Sequence, residues 1–207
     1  MGGTIQADVA GKARQAGADA EENADEKETV TILYNYKKPK TMSTKNQTII
    51  KAEPGKQDLY IIREFDAPRD LVFKAHTDPD LLMQWMGPRG YVNKVDYYNS
   101  KSGGGYRYMT YDKEGNEIAA FNGAIHEITA PERIIQTFEY EGLPERGHVT
   151  LDTMTFEELP GGRTRVTGHS VCRFAADREA MMQSGMETGV NEGYEKLDEM
   201  LQNGSIR

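Results

Sequence analysis

The C-terminal stretch of this 207-residue chain carries the feature that most limits what it can fold into. Met182, Met186, Val190, Gly193, Leu197 and Leu201 recur at spacings of three and four, which on an α-helix gathers them into one stripe. With Asp177 as its cap, the helix spans residues 177–201, which is 25 residues or about 37 Å. Burying each large apolar side chain on that stripe is worth roughly 1.5–3 kcal/mol. The stripe therefore needs a partner of matching extent, and a curved sheet is the only one large enough that the rest of the chain can build.

The strands for that sheet are legible. Residues 58–66 read as one, and 91–98, 105–111, 117–129, 133–140, 149–158 and 163–174 follow as a run of six. Turn chemistry separates them: Ser102-Gly103-Gly104, Asp112 to Asn116, Ala130-Pro131-Glu132, residues 141–147 and Pro160-Gly161-Gly162. Linkers this short imply antiparallel neighbours. Two short helices fit between the first strand and the rest. Pro68 opens one, with Leu71, Val72 and Ala75 as its stripe. Asp78 caps the other, with Leu81, Leu82 and Trp85 facing inward, and Gly87-Pro88 ends it. The expectation is an α+β chain: about seven antiparallel strands curved around a long C-terminal helix, over residues 58–202, with a tail at 203–207.

Residues 1–57 read as a polar, flexible extension. The first 28 are mostly Ala, Gly, Asp, Glu and Gln, too dilute in apolar side chains to offset the entropy of ordering them. Residues 29–36 (TVTILYNY) are strand-like within it. Met42-Ser43-Thr44-Lys45 resembles an ordinary protein start, which favours reading residues 1–41 as an addition ahead of it. The alternative is that 29–36 adds to a sheet edge, in this chain or in a second copy as a homodimer.

Charge and composition exclude several partners. A net charge of −8 opposes phosphate contact, so nucleic acid is a poor fit. No stretch has the roughly 18–20 apolar residues of a membrane span, nor does the N-terminus carry a secretory leader. Cys172 is the only cysteine, so no internal disulfide points to an oxidising compartment. A cytoplasmic protein without membrane insertion is the expectation.

The order strand, two short helices, six strands, long helix is that of the helix-grip fold, shared by the birch-pollen-allergen and START-like (SRPBCC) superfamily. Within it, local motifs resemble the activator-of-heat-shock-protein-90-ATPase-like family. They are Phe65-Asp66-Ala67-Pro68 with Val72-Phe73, Thr77-Asp78-Pro79, Trp85-Met86-Gly87-Pro88-Arg89-Gly90 and Gly104-Gly105-Tyr106-Arg107-Tyr108. Phe121-Asn122-Gly123, Glu127 before Pro131-Glu132-Arg133, Thr155-Phe156-Glu157-Glu158, Gly162-Arg163-Thr164 and the stretch from Gly189 to Leu201 continue the match. The resemblance covers about 58–202. It implies a cavity between helix and sheet for lipid-like, aromatic or polyketide-like ligands.

Two departures from the family pattern bear on that cavity. Met86 stands where a second aromatic is common, and Val190 where a Trp is common after the glycine. If both line the cavity, it is roomier and methionine-lined, and so adaptable. The candidate ligand-binding set is Trp85, Met86, Tyr106, Tyr108, Phe121, Met186, Val190 and Tyr194.

Residues that could do chemistry are sparse. His76, His126, His148 and His169 form no H-x-x-x-H pair, and Cys172 has no CxxC partner, so no metal or other cofactor is expected. His169 and Cys172, three apart on one strand, point to opposite faces. Cys172 reads as a small buried hydrophobe. Gly103 to Gly105 lie in a turn, without the Lys-Ser/Thr and helix of a phosphate loop. Glu127 reads as the partner of Arg133. No acid–base pair singles itself out as catalytic, and a small-ligand binder is favoured. An enzyme of cyclase or hydrolase type would be marked by His126 or His169 bonded to a carboxylate in the cavity. A chaperone-ATPase regulator is implied by the family's name, but residues 1–57 are too short and too polar to form the separate chaperone-binding domain of eukaryotic members.

Overall fold

The computed structural model describes residues 46–207. The residues from 58 onward form α+β architecture of the helix-grip kind. Strands β1 (Ile49–Lys51), β2 (Asp58–Phe65), β3 (Val92–Asn99), β4 (Gly105–Tyr111), β5 (Glu117–Thr129), β6 (Arg133–Tyr140), β7 (Val149–Leu159) and β8 (Arg163–Cys172) make one open sheet in the order β1-β2-β8-β7-β6-β5-β4-β3. Every pairing is antiparallel. From β3 to β8 each strand pairs with the next, because each linker is a turn too short to cross over. Helices α1 (Arg69–Thr77) and α2 (Pro79–Trp85) carry the chain between β2 and β3. Asp78 caps α2 as its sequence indicates, accepting from the backbone N–H groups of Asp80 and Leu81 at 3.0 and 3.4 Å.

The structure corrects three expectations. The sheet has eight strands, the extra one being β1, in the segment read as a flexible extension; it pairs with β2 from Ile49↔Ile62 to Lys51↔Tyr60. The residues that follow are tied in as well. Gln57 donates to the carbonyls of Cys172 and Arg173 at 2.9 and 2.7 Å. Residues 29–36 lie outside the described residues.

Second, the C-terminal helix is two helices, α3 (Ala175–Gln183) and α4 (Met186–Gln202). Gly185 sits between them at φ 81°, a left-handed conformation that glycine adopts without steric cost. Ser184 turns its hydroxyl back to donate to the carbonyl of Met181 at 2.7 Å, which competes with helix continuation. Third, Asp177 does not cap α3; Phe174 occupies the N-cap without a side-chain hydrogen bond. Within residues 203–207, read as a tail, Ile206 is 3% exposed and belongs to the core.

Two apolar clusters sit on the concave side. The larger joins Phe65, Val72, Phe73, Trp85, Phe156 and Val166 to Tyr194, Leu197 and Met200 of α4. The smaller joins Tyr106, Tyr108, Ala119, Phe121 and Ile125 of β4 and β5. Met86 packs against both. No helix among the described residues is long and apolar enough to cross a membrane.

Candidate ligand cavity

Between the two clusters lies a cavity of about 690 Å³. Its position follows from how α2 is clamped to α4. Gly87 turns the chain at φ 79° directly after α2. The backbone N–H of Arg89 then donates to Glu192 on α4 at 2.7 Å, and the Arg89 guanidinium donates to Glu199 at 2.6 Å. Asn93 bonds the carbonyl of Met86 at 2.8 Å and accepts from the Thr110 hydroxyl at 2.7 Å. Gly193 lets α4 come this close, since a Cβ there would lie 3.1 Å from the carbonyl of Trp85. The Trp85 to Gly90 motif is thus a clamp that fixes one rim of the cavity.

Three walls are apolar. Trp85 and Met86 at the end of α2 form one, with the Trp85 indole N–H fixed on the carbonyl of Ala75 at 2.9 Å. Met186, Val190 and Tyr194 on α4 form the second, Tyr194 stacking on Trp85 with centroids 5.7 Å apart. The third is a run of stacked rings across the sheet: Tyr108 to Phe121 at 5.1 Å and Phe121 to Phe138 at 5.2 Å, with Tyr140 beside Phe121 at 5.4 Å. Burial pushes the Tyr194 phenol up to about 12, so it stays neutral.

Seven of the eight candidate residues read from the sequence therefore meet at this cavity: Trp85, Met86, Tyr108, Phe121, Met186, Val190 and Tyr194. Tyr106 does not. Its ring lies over Gly123, where a Cβ would come 2.6 Å from the Tyr106 hydroxyl oxygen, and that hydroxyl donates to the carbonyl of Thr137 at 2.8 Å. Tyr106 is a sheet-packing residue, and Gly123 is the space it needs.

The fourth wall is polar and contains none of the eight candidates read from the sequence. It is built by α3 and the facing parts of β7 and β8, and contains Thr150, Asp152, Ser170, Cys172, His148 and Asp177. His148 Nδ1 lies 3.0 Å from Asp177 Oδ1, and the second Asp177 oxygen is buried without a partner. Asp152 Oδ1 is also buried without a partner. Desolvation raises the pKa of the Asp152 carboxyl, partly offset by the neighbouring Ser170 and Thr150 hydroxyls. Burial also pushes the Cys172 thiol up to about 11, so it is protonated and unreactive. Arg178, 2% exposed, anchors this wall by donating to the carbonyls of Glu53 and Lys56 at 2.6 and 3.1 Å.

The other histidines lie elsewhere. His126 is exposed. His169 does meet a carboxylate, Asp58, at 2.6 Å, but outside the cavity, stacked at 4.4 Å on the half-exposed Tyr60. His76 is enclosed by Trp85, Phe156 and Tyr194. Glu127 accepts from Arg133 at 2.7 and 2.9 Å, a strand-end ion pair. Among the described residues no group of His, Cys, Asp and Glu is placed to hold a metal ion.

The polar wall had one weak sequence signal. Strand alternation puts Asp152 on the same face as Thr150, the face that β8 lines with Ser170 and Cys172. The His148–Asp177 pair had none, because its members are 29 residues apart.

Solved structures share this architecture. A crystal structure of a Rhodobacter sphaeroides protein is 26% identical, with a TM-score of 0.68, covering 76% of this chain and 99% of its own. A solution structure from Arthrobacter aurescens is 25% identical, with a TM-score of 0.67, covering 75% and 91%. The AHSA1 protein of Silicibacter pomeroyi, at 21% identity and a TM-score of 0.58 over 71% and 99%, shares the fold. No curated protein matches. The profile described as "Activator of Hsp90 ATPase homolog 1-like protein" matches residues 66–202, the stretch that builds the clamp, the sheet and most of the cavity, and the chain belongs to that family.

Proposed function

We propose that this protein binds a small, mostly apolar or aromatic molecule in the space between the C-terminal helix pair and the sheet. The observation that carries the reading is the cavity itself. Its volume, about 690 Å³, falls within the range of sites that enclose a drug-sized ligand. Aromatic rings, three methionines (Met86, Met181 and Met186) and few polar groups line it, which suits recognition by shape and dispersion with polar contacts at one end. Family membership supports ligand binding or a regulatory role at the coarser level. The test is direct. Purified protein should blue-shift Nile red emission, and native mass spectrometry should show an adduct that an apolar competitor displaces. No dye response and no adduct across an apolar ligand panel would sink the reading.

One observation favours a second reading, a cyclase or hydrolase. His148 is held by Asp177 at 3.0 Å on the cavity wall, the arrangement that orients an imidazole as a general base. Turnover of an aryl ester or cyclisable substrate, abolished by His148→Gln with binding retained, would establish it. Binding without turnover leaves the first reading.

A further inference from the structure

Among the described residues, neither carboxylate on the cavity's polar wall is paired with a lysine or an arginine. Asp152 lines the cavity, yet no ion pair among the described residues includes it, and its Oδ1 is buried with no hydrogen-bond donor. Asp177 uses one oxygen on His148 and leaves the other buried and unpartnered. No lysine or arginine is among the lining residues. The guanidinium of Arg178, on α3, is taken up by the carbonyls of Glu53 and Lys56 and by Glu179 at 2.8 Å. Burying a carboxylate unpaired is costly. A fold that keeps one on the wall of an otherwise apolar cavity leaves a place for a cation from outside.

We infer that the ligand of this cavity is an amine: an apolar or aromatic body that lies against the rings and methionines, with an ammonium head at Asp152. The fit is chemical. An ammonium has three N–H donors and no acceptor. Beside Asp152 stand the hydroxyls of Ser170 and Thr150, and each can accept one of the remaining donors. The Thr150↔Cys172 and Asp152↔Ser170 pairs are in register on β7 and β8, so rigid strands hold this end. A ligand carboxylate would meet two carboxylates and no cation there. Charge-assisted hydrogen bonds are about twice as strong as neutral ones, so the head group should decide affinity among ligands of equal body.

The inference rests on the cavity-binding reading, and one experiment separates the two. Pyrenylbutylamine, pyrenylbutanol and pyrenebutyrate share one fluorescent apolar body and differ only in the head. Titrated into the wild-type protein at neutral pH, the amine should bind about tenfold tighter than the alcohol, and the acid weakest of the three. In Asp152→Asn, which keeps the shape and removes the charge, the amine-to-alcohol ratio should fall toward one. Equal affinities for all three, or a preference for the acid, overturn the ammonium site and leave the cavity reading standing. Binding of none overturns both. Should Asp152→Asn not fold, the wild-type ranking alone decides, and Asp177→Asn provides a second variant. An amine preference that neither variant weakens places the cation elsewhere and overturns the inference.

Discussion

Single residues show where this fold stores chemical tension. His76 is the clearest. Its Nδ1 lies 2.8 Å from the carbonyl of Val72, and a carbonyl only accepts, so Nδ1 carries the proton. Nε2 is then a bare lone pair, buried without a partner among aromatic rings. Burial lowers the pKa of His76 from 6.5 to about 4. The sign follows from linkage: below pH 6.5 the unfolded chain binds a proton at His76 that the folded protein refuses, so the His76 contribution to stability falls as pH drops from 6.5 to about 4 and is constant below that. At about 1.4 kcal/mol per unit, the loss is about 3 kcal/mol. Urea midpoints measured at pH 7.5 and 4.5 should therefore diverge less for His76→Gln than for the wild type. Parallel losses in both would show that other groups drive the acid response. Gly123 makes a second residue-scale test. Gly123→Ala would push a methyl against the Thr137 carbonyl of the neighbouring strand and against the Tyr106 phenol and should cost about 1–3 kcal/mol, measured by chemical denaturation. A neutral result would mean that both the ring and strand β6 can shift to make room.

Among the elements, what could be read from the sequence was what is local and repetitive. Strands β3 to β8 announce themselves by turn residues and β-branched or aromatic runs, and α2 by Asp78-Pro79. What failed was short or depended on one dihedral. Three residues, Ile49–Lys51, carry no period to detect, and β1 exists because β2 has an open edge. The α3–α4 break hides inside an unbroken apolar stripe, since a stripe reports which face is buried and not whether the backbone runs on. Only Ser184-Gly185 marks it. The site divides the same way. Trp85, Met86 and the α4 residues were legible because one motif and one helix face carry them. Tyr106 was misplaced because alternation gives the face of a strand and not whether a ring is covered. The break itself is testable. Gly185→Ala must take φ 81° with a Cβ and should cost about 1–2 kcal/mol. Gly185→Asn should cost less, because asparagine tolerates that region better. If alanine is harmless, α3 and α4 can fuse into one helix, and the cavity wall at Asp177 would shift with them.

For the molecule as a whole, the two apolar clusters stay apart because medium-sized side chains occupy the seam between them. Met86 touches both clusters, and Val190 lines the same space from α4. Larger rings at these two positions would bridge the clusters and turn ligand space into core. Met86→Trp with Val190→Trp should therefore exchange binding for stability. Nile red affinity should drop at least about tenfold, while the melting temperature holds or rises, since newly buried ring surface contributes about 25 cal/mol per Å². Each single variant should fall between, which guards against a double variant that fails to fold. A double variant that melts higher and still binds dye as the wild type does would put the ligand outside the space between α2 and α4. Loss of both binding and stability in every variant would mean that the seam is already filled to capacity and has no room for a larger ring.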